Sequence, residues 1–457
     1  MNRNICVICL DSVRKDYFDQ HAQRIQDRSD LSIDQCRSAS SWTLPSHASM
    51  FTGLLPHQHK VHINNRDFSQ INHYGTFLDD LIGYRKVGVS ANFHAGSTFG
   101  FNSLFDDFTD VSMYRRFENG MDVRQFIQES DSEGVSRYGE FLDMIRSHNS
   151  PMKSLLNGLV SKLNYYSRHS PVPKIFDEGA NYISKRITKE ISKTNKPVFI
   201  FANYMEGHPP YEHIRGFDKS KHSAANDWTS RDLDNTNYGE LEYCDIDNYR
   251  GLYAASIDYL DRKLIELINS TQKISDRETT FIITADHGEN LGYESDGELF
   301  GHSDSMSEAL LHVPLYIINP PEEFTVADEP YFSHLDLGTL ILNIAFGSEN
   351  NKDFLCDTIV AERPGSYSYR DTQRVLRCVY DKDEKIVWDS TGNISEFVIE
   401  HNNPCKAKFQ AHLDEIPKFT DQFFSLDISD FEDEINEGSA DDLNKAQQQQ
   451  LRELGYL

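Results

Sequence analysis

Residues 4–11, NICVICLD, form an apolar run that ends on a carboxylate, and this run decides the fold. A continuous apolar stretch of this length is typical of a central parallel strand that is covered on both faces. Similar runs follow at 85–92, 197–203, 279–286 and 313–318. Between them, apolar residues recur every three or four positions, for example at 177–192 and 249–269. Strands that alternate with helices predict an α/β fold with a mainly parallel central sheet flanked by helices.

The length of the chain predicts more than one unit. At 457 residues it exceeds the size at which a single hydrophobic core usually stops growing. We expect a large α/β domain over 1–325 and a small C-terminal α+β subdomain over 326–457. In the second, short strands at 358–362, 375–381 and 385–389 favour an antiparallel sheet. Residues from about 110 to 172 are polar with no strong period, and we interpret them as an insertion over the site or its rim.

The charge of the chain excludes one large class of partners. The sequence has 72 acidic and 45 basic residues, and its formal net charge is -27. Nucleic acids are bound by basic surfaces, so we expect no nucleic-acid partner. No apolar stretch reaches the roughly 18 residues that a membrane span needs, so we predict no membrane span.

The N-terminus and the cysteines favour a cytoplasmic protein. The first residues lack the long apolar region and the small-residue cleavage site of a secretion signal. The seven cysteines are scattered, and Cys6-x-x-Cys9 lies in a predicted strand, where residues three apart point to opposite faces. We therefore interpret Cys6 and Cys9 as small buried residues in a reducing compartment, and not as half of a metal site.

Three segments carry the chemistry of the sequence. The first is Asp11 at the end of the first strand, the second is SWTLPSHASMFTG at 41–53, and the third is TADHGE at 284–289, followed by His302. Taken alone, each has an ordinary explanation as a helix cap, a loop entering a helix or a turn. Together they lie at strand ends or helix starts of one sheet. Active sites of such sheets form at the carboxyl ends of the strands.

These residue types suit a metal-assisted nucleophile. A threonine hydroxyl is a poor nucleophile unless a base or a metal lowers its pKa. Asp11, Asp286 and His287 offer a site for one divalent cation, with the oxygen of Thr43 as a further ligand. The helix N-terminus after Thr43 would help to hold an anionic group.

Two histidines are candidates for contacts with the charge that develops on the transferred group. His208 follows the strand at 197–203, and His302 follows the third segment. The ordinary alternative for a lone histidine is a satisfied core or surface residue, and the chain has 18 histidines.

The chain resembles the sulfatase family of the alkaline-phosphatase superfamily in the order of its motifs, which are Asp11, Thr43-x-Pro45-Ser46-His47, Gly207-His208-Pro209-Pro210-Tyr211, Asp286-His287-Gly288-Glu289 and Gly301-His302. The resemblance covers essentially the whole chain. It implies an α/β catalytic domain, a smaller C-terminal domain and transfer through a covalent enzyme intermediate.

The resemblance also assigns roles to residues of this chain. It implies that Asp11, Asp286 and His287 are metal ligands and that Thr43 is both nucleophile and ligand. By the same resemblance, the substrate's anionic group would contact His208 and His302. His47, Asn92 and His94 are further candidates for this contact.

The sequence departs from the family pattern at three positions. Sulfatases have Cys or Ser where Thr43 stands, and they oxidise it to formylglycine, whereas threonine could give only a ketone. Ser12 stands where a second aspartate is usual, which weakens a calcium site. His287 shifts the preference toward zinc or manganese, with calcium still possible. His47 replaces the family arginine, so an imidazole stands where the family has a guanidinium.

The first departure bears on the substrate. A sulfated formylglycine hydrate eliminates sulfate, but a sulfated threonine would need water to attack sulfur directly. A phosphorylated threonine opens by in-line attack, so we favour a hydrolase or transferase that acts on a phosphate monoester or diester of a small molecule or a glycan. The alternatives are a sulfuric ester hydrolase that works without formylglycine and a non-catalytic sulfatase-like binding protein. The sequence leaves the number of metal ions open, and one is our prediction.

Overall fold

The strands of the protein are short and lie mainly in two sheets. The structure is a computed structural model that describes residues 3–73, 75–112, 114–117, 119–130, 132, 134–168, 172–233, 242–302, 305–326, 331–347, 355–365 and 374–437. Its strands are β1 (Asn4–Leu10), β2 (Leu31–Ser32), β3 (Cys36–Arg37), β4 (Arg85–Ser90), β5 (Asp107–Asp110), β6 (Val198–Tyr204), β7 (Thr279–Thr284), β8 (Asn290–Leu291), β9 (Phe300–Gly301), β10 (Leu315–Ile318), β11 (Tyr331–Ser333), β12 (Leu355–Cys356), β13 (Thr358–Arg363), β14 (Leu376–Asp381), β15 (Glu384–Asp389), β16 (Ile394–Ile399) and β17 (Ala407–His412).

The helices alternate with these strands over most of the chain. The α-helices are α1 (Lys15–His21), α2 (Gln23–Arg28), α3 (Thr43–Thr52), α4 (Pro56–His59), α5 (Phe77–Asp80), α6 (Val123–Glu129), α7 (Gly134–Ser147), α8 (Pro151–Arg168), α9 (Ala180–Ser192), α10 (Tyr243–Ile274), α11 (Glu308–Leu311), α12 (Leu337–Phe346) and α13 (Ile428–Glu437). Single 3-10 turns lie at Phe68–His73, Ser97–Phe99, Phe101–Leu104, Ser230–Leu233, Glu294–Asp296, His334–Asp336 and Lys418–Gln422.

The central sheet has seven strands in the order β2-β10-β7-β1-β6-β4-β5. β1 lies between β6 and β7 and is parallel to both, and β4 is parallel to β6 and β5. β10 is antiparallel to β7, so the last predicted strand joins the sheet in the opposite direction. Every residue of β1, β6 and β7 is buried, as the continuous apolar runs predicted. The predicted α/β fold with a mainly parallel sheet is therefore confirmed.

Alternating side chains of β6 face two different layers of helices. On one face, Phe199 packs against Phe77 of α5 and Phe201 packs against Phe51 of α3. On the other face, the hydroxyl of Tyr204 lies 3.1 Å from that of Ser184 in α9. Because side chains of a strand alternate, Asn203 points to the same face as Phe201, toward α3.

A second, five-stranded antiparallel sheet runs in the order β13-β14-β15-β16-β17 and confirms the predicted C-terminal strands. β11 and α12 follow the predicted boundary at 325/326, yet β11 pairs with β3 and α12 packs on α3 and α5. The division of the chain at that residue stays a prediction.

The interpretation of residues 110–172 as an insertion stays a prediction. The stretch contains α6, α7 and α8, and apolar residues do recur every three or four positions in α7 and α8, so its description as lacking a strong period is wrong. α8 also buries polar side chains, so its apolar residues do not mark the inner face. Cys6 and Cys9 are buried and form no disulfide, as expected. Among the described residues, no helix combines the length and the apolar character that crossing a bilayer requires.

Buried ion pairs join the C-terminal sheet to the α/β unit. Glu308 of α11 lies 2.9 Å from Nη2 of Arg37 and 2.7 Å from Nζ of Lys385, and it accepts a hydrogen bond from Tyr380 at 2.5 Å. Burial alone would raise the pKa of Glu308, but Arg37 and Lys385 outweigh it and lower this pKa to about 2. A buried hydrogen bond makes a second link, between Glu362 of β13 and His57 of α4, with 3.0 Å between Oε2 and Nδ1.

We predict that Glu308→Gln lowers the free energy of unfolding at neutral pH by about 3–5 kcal/mol, because it leaves Arg37 and Lys385 as uncompensated buried charges. Urea unfolding followed by circular dichroism measures this change. Glu434→Gln is the matched control: it removes an exposed ion pair with Lys60, and it should cost at most about 1 kcal/mol.

The same network predicts a loss of stability in acid. Because the pKa of folded Glu308 is depressed, its stabilisation is fully present above its unfolded pKa of about 4.3 and is lost as the pH falls from there toward 2. Glu308→Gln should remove this part of the pH dependence. Equal stability of the variant and the wild type at pH 7 would contradict the prediction.

Candidate active site and metal centre

The strand register brings the predicted ligands together. Cys9 of β1 is opposite Thr284 of β7 and Asn203 of β6. Asp11 lies two residues after Cys9, and Asp286 lies two residues after Thr284. Both aspartates therefore lie side by side at the carboxyl edge of the sheet. This is where active sites of parallel sheets form.

Three of the predicted residues form a group that could hold one metal ion. Ligand atoms of Asp11, Asp286 and His287 all lie within 4.8 Å of one another, and all three side chains are fully buried. Nδ1 of His287 donates to the carbonyl of Gly288 at 2.8 Å, which leaves the lone pair on Nε2. Burial and the nearby His302 lower the pKa of His287 to about 4, so the ring is neutral, as a metal ligand must be.

Thr43 lies beside this group, at the first residue of α3. Its Oγ1 is 3.3 Å from Nε2 of His287. The backbone N–H groups of Thr43 and Leu44 have no carbonyl partner within the helix, because they precede its first hydrogen-bonded turn. Pro45 is tolerated there since its missing N–H would also be unpaired. The hydroxyl therefore sits where the positive end of α3 favours an anion.

Backbone and hydroxyl donors fix the orientation of Asp286. Its Oδ1 accepts from the backbone N–H of His287 at 2.9 Å and of Ser12 at 3.1 Å. Its carbonyl accepts from the hydroxyls of Ser38 and Ser46, both at 2.5 Å. Burial nevertheless raises the pKa of the Asp286 carboxyl to about 7. A buried carboxylate of this kind calls for a nearby positive charge, and a divalent cation supplies one.

Asn92 points at a protein carboxylate. Its Nδ2 donates to Oδ2 of Asp11 at 2.5 Å, and its Oδ1 accepts from the backbone N–H of His94 at 2.6 Å. Ser12 donates to the other oxygen of Asp11 at 3.2 Å. In this arrangement Asn92 positions a carboxylate of the metal group, whereas the sequence suggested a contact with substrate.

His47 lies beneath Thr43. Nδ1 donates to the carbonyl of Thr43 at 2.9 Å, and Nε2 accepts from Nδ2 of Asn203 at 3.1 Å. The ring packs edge-on against Phe101 and Phe201, and its side chain is fully buried. Burial lowers the pKa of His47 to about 4. This neutral ring holds the first turn of α3 against β6.

Three more predicted histidines join the same cluster. The ring of His302 is centred 4.7 Å from that of His287 and 5.2 Å from that of His208. Nδ1 of His302 lies 3.2 Å from Oε2 of Glu289. His94 is fully buried and stacks on Phe99, with ring centres 5.5 Å apart. The sequence-predicted residues therefore converge on one site.

Sequence reasoning missed several supporting residues. Asn203 also lies 3.4 Å from Oδ2 of Asp11, so it bridges the metal group and His47. Asn203 ends an apolar run, as Asp11 does. The same search for polar residues at strand ends would therefore have found it. Glu289 stood in a quoted motif without a role, and it orients His302. Ser38 carries no sequence signal, because its partner is a carbonyl far along the chain.

Two glycines of the motifs are required by close packing. A Cβ at Gly288 would lie 1.9 Å from the carbonyl oxygen of Ala309. A Cβ at Gly207 would lie 2.7 Å from the carbonyl oxygen of Asp11. Any side chain at either position would displace the backbone that carries the metal group.

The chain belongs to the sulfatase family, since a sequence model of the family described as Sulfatase matches residues 3–348. The predicted resemblance is thereby confirmed, and the members of this family are ester hydrolases. A comparison with proteins of curated function finds no match.

Solved structures of the same fold include both sulfatases and other members of the superfamily. A 2-O GAG sulfatase aligns with a TM-score of 0.56 at 12% identity, over 87% of this chain and 85% of the other. The phosphonate monoester hydrolase of Agrobacterium radiobacter gives 0.54 at 15% identity, over 87% and 89%. A protein of the alkaline phosphatase superfamily from Vibrio parahaemolyticus gives 0.54 at 15% identity, over 96% and 89%. At these identities the likeness shows the fold.

We predict that the purified protein binds about one divalent ion per chain and that Asp286→Ala and His287→Ala reduce the metal content severalfold, because each removes a ligand. Inductively coupled plasma mass spectrometry after dialysis measures the bound metal. Glu242→Ala is the matched control, since Glu242, Cys244 and Asp245 form a second group of possible ligands among the described residues, one that is largely exposed. Unchanged metal content in His287→Ala would refute the assignment.

Proposed function

We propose that the protein hydrolyses a phosphate monoester or diester through a covalent intermediate on Thr43, with a divalent metal held by Asp11, Asp286 and His287. The observation that carries the proposal is the position of Oγ1 of Thr43, 3.3 Å from Nε2 of His287 and at the first residue of α3. Zinc and manganese suit a site of two carboxylates and one imidazole, and calcium is a third candidate.

The chemistry of threonine favours phosphorus over sulfur. In the proposed reaction, Oγ1 of Thr43 attacks phosphorus in line with the leaving oxygen. The Oγ1–P bond forms as the ester P–O bond breaks, and the leaving alcohol takes up a proton. Water then attacks phosphorus, the Oγ1–P bond breaks, and the threonine hydroxyl regains its proton. When bound, the metal would supply positive charge that lowers the pKa of the hydroxyl and offsets charge on the transferred group.

The remaining residues have binding and positioning roles in this scheme. Glu289 orients the ring of His302 through Nδ1, and in this scheme the ring contacts the anionic group of the substrate. His208 is next to His302 and makes a second such contact. The first-turn N–H groups of α3 add donors of fixed direction. Asn92, Asn203 and His47 hold the ligands and the nucleophile in place.

One structural relative is a phosphonate monoester hydrolase, and another is a 2-O GAG sulfatase. The second candidate is therefore the hydrolysis of a sulfuric ester without formylglycine. In both cases the substrate is an anionic ester on a small molecule or a glycan. The third candidate, a binding protein without turnover, is a distinct outcome of the experiment below.

We predict that wild-type protein turns over an aryl phosphate or a bis-aryl phosphodiester faster than an aryl sulfate, and that Thr43→Ala lowers kcat at least about a thousandfold. Thr43→Ser keeps a hydroxyl and should keep measurable turnover. Thr52→Ala removes a hydroxyl at the other end of the same helix and serves as the control. Release of the aryl alcohol is followed by absorbance.

Each outcome of that assay separates the candidates. Turnover of the sulfate alone would replace the phosphate proposal by the sulfatase one. Full activity of Thr43→Ala would remove Thr43 as the nucleophile. If metal-loaded protein turns over no ester, the result supports the third candidate, a binding protein without turnover.

We further predict that Glu289→Gln lowers kcat about 10- to 100-fold, because the ring of His302 loses the carboxylate that orients it. The thermal midpoint of the variant is measured alongside kcat, so that loss of fold is recognised. Glu294→Gln changes an exposed glutamate five residues further along the chain and should leave kcat unchanged. Equal kcat for Glu289→Gln and wild type would show that His302 does not depend on this carboxylate.

A further inference from the structure

Helix α8 is built with its polar side inward. Ser154, Asn157 and Asn164 are buried, and they lie on one face of the helix. The amide of Asn157 accepts from the backbone N–H of Phe117 at 2.8 Å, and the hydroxyl of Ser154 accepts from that of Met121 at 2.9 Å. The inner face of α8 therefore holds the loop before α6 by hydrogen bonds. In contrast, a surface helix usually packs an apolar stripe against the core.

The opposite face of α8 is apolar and exposed. At a spacing of three or four residues it carries a row that we name the outer stripe, formed by Met152, Leu155, Leu159, Leu163 and Tyr166. Met152 is 71% exposed and Leu159 is 54% exposed. Scattered single apolar residues are normal on a surface, but a contiguous row of this kind marks an interaction site.

Helix α7 extends this surface. Val135, Tyr138 and Leu142 recur at helical spacing and are exposed. Nζ of Lys162 lies 4.9 Å from the ring centre of Tyr138 in α7 and 4.9 Å from that of Tyr166 in α8. The two apolar rows therefore meet at Lys162 and form one surface on the two helices.

The charges of this surface are opposite to those of the whole chain. Residues 134–168 contain five basic and two acidic residues, and α8 has three basic residues and no acidic one, whereas the chain as a whole has a net charge of -27. Lys153 is exposed, and Lys162 borders the outer stripe beside two tyrosines. A second copy of the chain would bring two such basic surfaces together, which like-charge repulsion opposes.

We propose that the α7–α8 surface docks on an anionic lipid membrane, with the outer stripe inserted among the lipids and the lysines at the headgroups. Leucines on one face, lysines beside them and tyrosines at the border are the composition of helices that lie in a membrane interface. Local basic charge attracts anionic lipid even on an acidic protein, because charges beyond about 8–10 Å are screened at physiological salt. The helix lies on the membrane and does not span it.

The test is sedimentation of the full chain with vesicles. The protein should sediment with vesicles of phosphatidylcholine containing about 30% phosphatidylglycerol at about 50 mM salt, and much less with phosphatidylcholine alone. The triple variant Leu155→Ser, Leu159→Ser, Leu163→Ser should lower the partition coefficient at least about tenfold. The double variant Lys153→Glu, Lys162→Glu should lower it severalfold and weaken its salt dependence.

Matched controls and a second measurement keep the result interpretable. Ile82→Ser and Lys408→Glu change an exposed apolar and an exposed basic residue elsewhere, and neither should alter sedimentation. Aryl ester turnover of the triple variant should equal that of wild type, since no catalytic residue is changed. The proposal is overturned if wild type does not sediment with the anionic vesicles, or if the triple variant sediments equally. It is also overturned if sedimentation velocity shows that the wild type is a dimer and that the triple variant is a monomer.

Discussion

The burial of two carboxylates at the carboxyl edge of a parallel sheet is the constraint on which the rest of the site depends. Asp11 and Asp286 are fully buried and only a few ångströms apart. An unpaired buried charge costs far more than one hydrogen bond returns, so the surroundings must donate to it. Backbone N–H groups, asparagine amides and a serine hydroxyl do so, and a divalent cation would complete the balance.

The same constraint explains residues that do no chemistry themselves. Asn92 and Asn203 are amides in places where a hydrophobic residue would leave Asp11 with fewer donors. Gly288 has no side chain because Ala309 passes too close, and that contact keeps the turn after Asp286 tight. His47 is a neutral ring that accepts one hydrogen bond and donates another, a combination that an arginine cannot provide.

Polar groups are also buried away from the site, with two different results. Around Glu308, acidic and basic side chains neutralise one another and bind the C-terminal sheet to the α/β unit. In α8, the buried amides and hydroxyls hold a loop, and the apolar residues of the helix are left outside. The first arrangement is complete within the chain, whereas the second leaves a surface that calls for an apolar partner.

The sequence by itself determined five of the seven strands of the central sheet, from their apolar runs, but not the short edge strands β2 and β5. It also determined that Asp11 and Asp286 follow the ends of two of them. The apolar runs and the aspartates that follow them are both local features of the sequence, and the end of a strand fixes the position of the residue after it. The tertiary structure alone decided that Asn203 joins Asp11 to His47 and that Glu308 meets Lys385, because these pairs depend on the order of strands and the packing of two sheets. It also decided the orientation of α8. Its apolar spacing specifies a helical face, but only the hydrogen bonds of Ser154 and Asn157 show that this face points outward.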